Sequence, residues 1–361
     1  MTTDQLPFPA KIFRGADALN YLGECCKTQG EKVFILGGKT ALEKMQGKIC
    51  KQLAEAGIQV IATEWYGGEC SRTNIENLTT KALEHKADFI MAVGGGKALD
   101  TGKAVAAECR LPIITVPTIA ATCAAVTPLT VLYNDNGEFE CNLFLKDCPA
   151  ATIIDTMVIL EAPAFWLAAG IGDTLAKMYE LRGAASAMEP TSFTISAVTN
   201  GQICYDIIKR FGNEALNSVE NKQNSKELDS TVDAIILFSG MSSIYGGEKL
   251  RNAAAHAIYN GLTKVPESHK VAHGLIVGYG NLCLLALEGR SDEEIIEEIK
   301  LAKCCKIPTT LKQIVKLSKE ELTRVAQVSA KATAMKCMPF EVTGDMVIQA
   351  MHRVDQLACQ V

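Results

Sequence analysis

Apolar residues in the first half of the chain fall in short runs. Each run ends in glycine or a polar turn and is followed by apolar positions at helical spacing. Residues 11–15 read as a strand, with a helix after it through Tyr21 and Leu22. Residues 32–36 read as a strand ending in Gly37-Gly38, before a helix from about Thr40. Residues 59–63 are the next strand, and Ile75, Leu78 and Leu83 mark the helix beyond it. Residues 87–93 and 112–116 continue the series, and 151–155 close it. Between them, residues 117–128 are small and hydroxyl-rich, and Asn134-Asp135-Asn136-Gly137 joins two short apolar runs as a hairpin would. From Pro163 onward strand signals nearly vanish. Helical periodicity covers 166–188, 192–211, 232–241, 250–262, 273–287, 292–304, 318–335 and 344–357, with Ser318 and Glu321 forming a capping-box pattern. The pattern predicts an α/β domain over residues 1–162, with a mostly parallel sheet covered on both faces, and an all-α domain over 163–361. The hinge falls near Glu161-Ala162-Pro163.

The length of 361 residues agrees with two domains, and 48% apolar with 21% charged residues is an ordinary globular composition. A net charge of −5 without a basic block excludes a nucleic-acid partner. No apolar run approaches the roughly 18 residues that span a bilayer, so no membrane partner is expected. Residues 1–5 lack the basic and apolar stretches of a signal peptide. The 14 cysteines include no Cys-x-x-Cys pair. They read as reduced, buried thiols in a cytoplasm rather than as a disulfide or zinc scaffold.

Two groups of residues carry candidate chemistry. Gly94-Gly95-Gly96-Lys97 sits between the 87–93 strand and a helix. A strand that meets a helix through glycines lets backbone N–H groups approach an anion, which makes a phosphate cradle. The spacing matches neither the Rossmann nor the Walker fingerprint, and a tight turn without a ligand is the plainer alternative. The hydroxyl-rich stretch after it is either a loop lined by small residues or a nucleotide-facing loop. The second group is Asp173, in an apolar helix, with His256 and His273 on two later helices. One carboxylate and two imidazoles suit Zn²⁺ or Fe²⁺. Each histidine could equally be a hydrogen-bonded core residue, and Asp173 could pair with Lys177 one turn away.

Taken together and in order, Gly94-Gly95-Gly96-Lys97-Ala98-Leu99-Asp100-Thr101, Val116-Pro117-Thr118, Gly170-Ile171-Gly172-Asp173, His256 and His273-Gly274 give a resemblance. The chain resembles the glycerol-dehydrogenase-like members of the iron-containing (group III) alcohol dehydrogenase family, nearly end to end. The resemblance implies the dehydroquinate-synthase-like fold of that family, with a dinucleotide-binding N-terminal domain, a helical domain and a cleft between them. It implies a divalent metal on Asp173, His256 and His273. It implies cofactor contacts from Gly95, Gly96, Lys97, Asp100, Thr118, Thr127, Leu129 and Tyr133.

Four departures refine what it implies. Cys123 stands where glycerol dehydrogenases carry an Asp that contacts the polyol. Lys177 stands where iron-type members have a fourth ligand, a His, which favours Zn²⁺ over Fe²⁺. Losing an acid and gaining a cation favours an anionic substrate, held by Lys177 near Cys123, as in the hydroxycarboxylate dehydrogenase branch; an ordinary salt bridge from Lys177 to Asp173 or Glu180 is the alternative. Gly38 and Lys39 replace the acid expected on the adenosine ribose, which favours NADPH, with NADH as the alternative. Tyr259 and Ile276 occupy positions where relatives commonly have a His and a Lys, so Tyr259 or a water chain is left to relay the proton. The expected function is metal-dependent hydride transfer between NAD(P)H and a small 2-oxo acid. A glycerol, polyol or simple alcohol dehydrogenase is the alternative, a sugar-phosphate lyase the remote one, and homo-oligomers are allowed.

Overall fold

The computed structural model describes residues 7–361; the expectation about residues 1–5 lies outside them. Eight strands form: β1 (Ile12–Gly15), β2 (Lys32–Gly37), β3 (Gln59–Trp65), β4 (Phe89–Gly94), β5 (Ile113–Pro117), β6 (Leu129–Tyr133), β7 (Phe139–Phe144) and β8 (Ala151–Asp155). Six of them make one parallel sheet in the order β1-β8-β5-β4-β2-β3, while β6 and β7 pair antiparallel as the predicted hairpin. Every residue of β4 and β5 is buried, as expected of strands covered on both faces.

The sheet is flanked by α1 (Leu22–Lys27), α2 (Lys39–Glu55), α3 (Arg72–Glu84), α4 (Gly96–Cys109) and the short α5 (Thr156–Leu160). Leu42, Met45, Ile49 and Leu53 recur along α2 at helical spacing and pack on Val33, Ile35, Phe89, Met91 and Val93 of the sheet. Each such side chain contributes about 2 kcal/mol by leaving water. The chain leaves β2 for β3 on one side and returns to β4 on the other. The carboxyl ends of β2 and β4 are therefore the topological switch point, where open α/β sheets bind ligands.

The remaining helices are α6 (Ala164–Ala185), α7 (Ser192–Asn221), α8 (Lys226–Asp233), α9 (Ser239–Leu250), α10 (Ala254–Leu262), α11 (His273–Leu287), α12 (Asp292–Cys304), α13 (Leu311–Ile314), α14 (Lys319–Lys331) and α15 (Gly344–Ala358). The chain divides into two compact units. One runs to Ala162 and includes Lys222–Asn224; the other holds Pro163–Asn221 and Ser225–Val361. Lys222 belongs with the first unit because its Nζ donates to the carbonyl of Leu160 at 2.6 Å. Among the described residues no helix is long and apolar enough to cross a membrane.

Several predicted boundaries move, and three of the shifts have a local reason. The helix expected over 232–241 is already running from Lys226, where Ser225 caps it by accepting the N–H of Leu228. It then passes through a π-helical turn at Ala234–Phe238 into α9. The helix expected from 250 starts at Ala254, because Ala253 leaves helical geometry. The helix expected to end near 211 continues to Asn221, since Gly212 packs against Cys305 instead of breaking the helix. The capping box at Ser318 and Glu321 forms as predicted.

In the second unit α6 and α11 are buried almost throughout, and their backbones meet at glycine. A Cβ on Gly274 would lie 1.9 Å from the carbonyl oxygen of Ala169, and one on Gly172 would lie 2.2 Å from the carbonyl oxygen of Gly274. No side chain fits between them. Gly274→Ala is therefore expected to destabilise the protein by about 2 kcal/mol or more, through forced separation of the two helices. Thermal unfolding of the metal-free protein reads this as a lowered midpoint, and a midpoint equal to the parent's would contradict so close an approach.

Candidate functional site

The close approach of α6 and α11 sets two candidate ligands side by side. Asp173 follows Gly172 on α6, and His273 is the first residue of α11, just before Gly274. His256 comes from the first turn of α10. Asp173 Oδ1 lies 3.4 Å from Nε2 of His256 and 3.5 Å from Nε2 of His273. One ligand atom from each residue falls within 4.8 Å of the others, and no second such group occurs among the described residues. Asp173 and His256 are buried, whereas the His273 side chain keeps 30% of its surface exposed, so the group has one open side.

Polar atoms here are left over. Asp173 Oδ1 is buried without a hydrogen bond, and so is His273 Nδ1. His256 Nδ1, in contrast, lies 2.6 Å from Glu180 Oε2. Burial works against the charge on His256, but the Glu180 and Asp173 carboxylates outweigh it and push the imidazole up to about 9. Burial likewise opposes the ionised Asp173, but the two imidazoles and the charge of Lys177 hold its carboxyl well below the usual range. A buried carboxylate oxygen with no hydrogen bond and two imidazole nitrogens turned toward it are what a divalent ion needs, and Zn²⁺ and Fe²⁺ both accept this donor set.

Lys177, one turn beyond Asp173, is only 3% exposed. Its ammonium forms no hydrogen bond and no ion pair with any described residue, so the salt bridge to Asp173 or Glu180 weighed above is not made. Tyr259 stands edge-on to the His273 ring, with centroids 4.2 Å apart. Ile276 is buried.

The first unit gathers most of the expected cofactor residues at the switch point. Gly38 donates its N–H to the carbonyl of Val93 at 3.2 Å, and Thr118 donates its N–H to the carbonyl of Gly94 at 3.1 Å. Gly94 has φ +147°, a conformation that favours glycine, and Gly95 is the N-cap of α4 with Gly96 as its first residue. Free N–H groups of α4 thus open at the ends of β2, β4 and β5. Lys97 pairs with Glu69 at 2.5 Å and lies 5.2 Å from the centre of the Tyr133 ring. Lys39 Nζ sits 4.1 Å over the ring of Trp65.

Asp100 also has a role within the fold. Its carboxylate pairs with buried Lys103 at 2.9 Å and accepts the N–H of Val131 at 3.1 Å. Lys103 in turn donates to the carbonyls of Thr127 and Leu129. The pair pins the strand β6 and the loop before it to α4. Cys123 is buried in the loop after β5. Lys103 and Glu69 were not singled out from the sequence, and Glu180 only as a possible partner of Lys177. The spacing of Asp100 and Lys103 on one helix face was the one available signal.

Comparison with known proteins gives this geometry a class. The family model of iron-containing alcohol dehydrogenases matches residues 9–156. The chain is 36% identical to the glycerol dehydrogenase of Pseudomonas putida, over 97% of this chain and 96% of that one. It belongs to the iron-containing alcohol dehydrogenase family, metal-dependent oxidoreductases that act on CH–OH groups with a nicotinamide cofactor. Within that family it is 33% identical to hydroxycarboxylate dehydrogenase A of Escherichia coli, over 96% of both chains. The crystal structure of glycerol dehydrogenase from Schizosaccharomyces pombe superposes with a TM-score of 0.90 at 28% identity, covering 100% of this chain and 92% of that one.

If the three residues act as one ligand set, the purified protein carries a single divalent ion per chain after dialysis. His256→Ala is expected to lose it and His85→Ala, in the other unit, to keep it. Elemental analysis of the three proteins checks this, and undiminished metal in His256→Ala would dissolve the set.

Proposed function

We propose that the protein interconverts a small hydroxylated substrate of the glycerol type and its carbonyl partner, using NAD(P)(H). The observation that carries this is the intact Asp173, His256 and His273 group in a chain similar nearly end to end to glycerol dehydrogenases. Reduction takes a hydride from NAD(P)H and a proton from the protein or solvent, and yields the alcohol and NAD(P)⁺. Asp173, His256 and His273 would hold the divalent ion, Zn²⁺ in preference to Fe²⁺. Such an ion acts as a Lewis acid that stabilises negative charge on the substrate oxygen. The first unit's share is to bind the dinucleotide through the α4 N-terminus, Gly38, Thr118, Thr127, Leu129, Lys97 and Tyr133. Gly38 offers no carboxylate to repel a 2′-phosphate and Lys39 adds a cation beside it, which supports NADPH over NADH. Tyr259 is assigned to the proton relay because it abuts the exposed ligand His273.

A second reading has its own support. Lys177 is buried and makes no hydrogen bond or ion pair with a described residue, feeling Asp173 only at a distance, and Cys123 offers no carboxylate to the site. A substrate carboxylate would supply what Lys177 lacks, which supports a 2-oxo acid reduced to a 2-hydroxy acid. A metal-supplemented assay of dihydroxyacetone, 2-oxobutanoate, 2-oxoglutarate and a simple aldehyde, each with NADPH and NADH, separates the two. Turnover of dihydroxyacetone is expected on the first reading; turnover of the oxo acids alone would replace it with the second.

Lys177→Ala sharpens the choice. On the second reading it raises KM for the oxo acids about tenfold or more and leaves the aldehyde nearly unchanged, as loss of a charge-assisted contact of about 1.5–3 kcal/mol requires. Equal effects on acid and aldehyde would remove Lys177 from carboxylate recognition.

A further inference from the structure

Glu180 is the most buried carboxylate in the second unit, with no exposed surface, and no part of the proposed reaction uses it. It lies two turns after Asp173 on the same face of α6. Its two oxygens do different things. Oε1 accepts the N–H of Ala253 at 2.6 Å and the N–H of His256 at 3.1 Å. These are donors at the N-terminus of α10, which has no side-chain cap of its own. Oε2 lies 2.6 Å from His256 Nδ1. Nδ1 therefore keeps its proton and donates a hydrogen bond to Glu180, which leaves Nε2, turned toward Asp173, as the ligand atom.

We infer that Glu180 is the positioning residue of the metal site. It fixes the start of α10, the orientation of the His256 ring and the nitrogen that faces the ion, all with one side chain. This rests on the reading of Asp173, His256 and His273 as metal ligands. The asymmetry with His273 is informative, because His273 Nδ1 has no hydrogen bond. Tyr259 packs edge-on against that second ring and no carboxylate stands behind its Nδ1, so of the two histidines His256 is the one with a carboxylate behind it. Three donors converge on Glu180, and an amide in its place offers one acceptor and one NH₂. At least one N–H must then face a donor, so no amide can do the work of this carboxylate.

The test is a metal-affinity cycle, read by chelator competition with Zn²⁺ on the full chain. Glu180→Gln is expected to weaken Zn²⁺ binding by about 10–100-fold, the usual effect of losing a partner behind a ligand. In a His256→Ala background, which does not retain metal through dialysis and is therefore titrated with added Zn²⁺, the same change is expected to cost less than about twofold, because the ring it orients is gone. Co²⁺ absorption spectra of the parent and Glu180→Gln should differ in the visible bands. Equal affinity in the parent and Glu180→Gln, or the same fold-loss in both backgrounds, would overturn the inference. If the amide variant does not fold, Glu180→Asp, which keeps the charge and shortens its reach, is put through the same cycle with the same criteria. A parent that binds no Zn²⁺ would overturn the ligand set itself, a separate outcome from a parent that binds and a variant that binds equally well.

Discussion

Two ionised carboxylates buried among apolar helices are the constraint on which the second unit turns. Asp173 is 5% exposed and Glu180 not at all. Taking such groups out of water costs several kcal/mol each unless partners surround them. The fold supplies those partners from three helices. His256 of α10 stands between the carboxylates, the N-terminus of α10 gives two N–H groups to Glu180, His273 of α11 faces Asp173, and the field of Lys177 of α6 reaches Asp173. Removing one member strands another, at roughly 3–5 kcal/mol for a buried charge left alone. The registers of α6, α10 and α11 are therefore tied together by electrostatics as well as by packing.

Glycine makes the arrangement reachable. An Asp side chain is short, and His273 sits at the very start of its helix. The two can face each other only because Gly172 and Gly274 let the α6 and α11 backbones touch. Placement of these two candidate ligands is then set largely by main chain, which is stiffer than any long side chain. The first unit uses the same device for a different end. Gly94 turns the chain out of β4, and glycine at 95 and 96 lets Ile119 and Thr122 close in on the start of α4, where a Cβ would meet them.

These features differ in how well the sequence announces them. The sheet was legible because its strands are short apolar runs ended by glycine, and the helices because their apolar positions repeat at helical spacing. Asp173, His256 and His273 stood out as polar residues in apolar surroundings. Glu180 shares that property, yet its meaning lies in a pairing across helices that no local spacing encodes. Asp100 shows the reverse case. Its place in the glycine-lysine motif suggested a ligand contact, while its carboxylate is taken up by Lys103 and Val131 within the fold. The helix read over 232–241 was cut short at both ends because a π-helical turn keeps the chain helical while shifting its apolar face.

Overall similarity does not choose the substrate. Relatives that act under the names glycerol dehydrogenase and hydroxycarboxylate dehydrogenase are 36% and 33% identical to this chain over nearly the same span. A scaffold shared that evenly leaves specificity to a few side chains. Lys177 is the one whose physics discriminates. In the bare protein the Asp173 carboxylate offsets part of its charge at a distance. A divalent ion on Asp173 would claim that carboxylate and leave the buried ammonium beside more positive charge. A substrate carboxylate would then relieve a cost that a neutral triol could only soften through hydrogen bonds. The glycerol-type and hydroxy-acid readings therefore part on a single charge in the substrate, because the fold and the ligand set serve both equally.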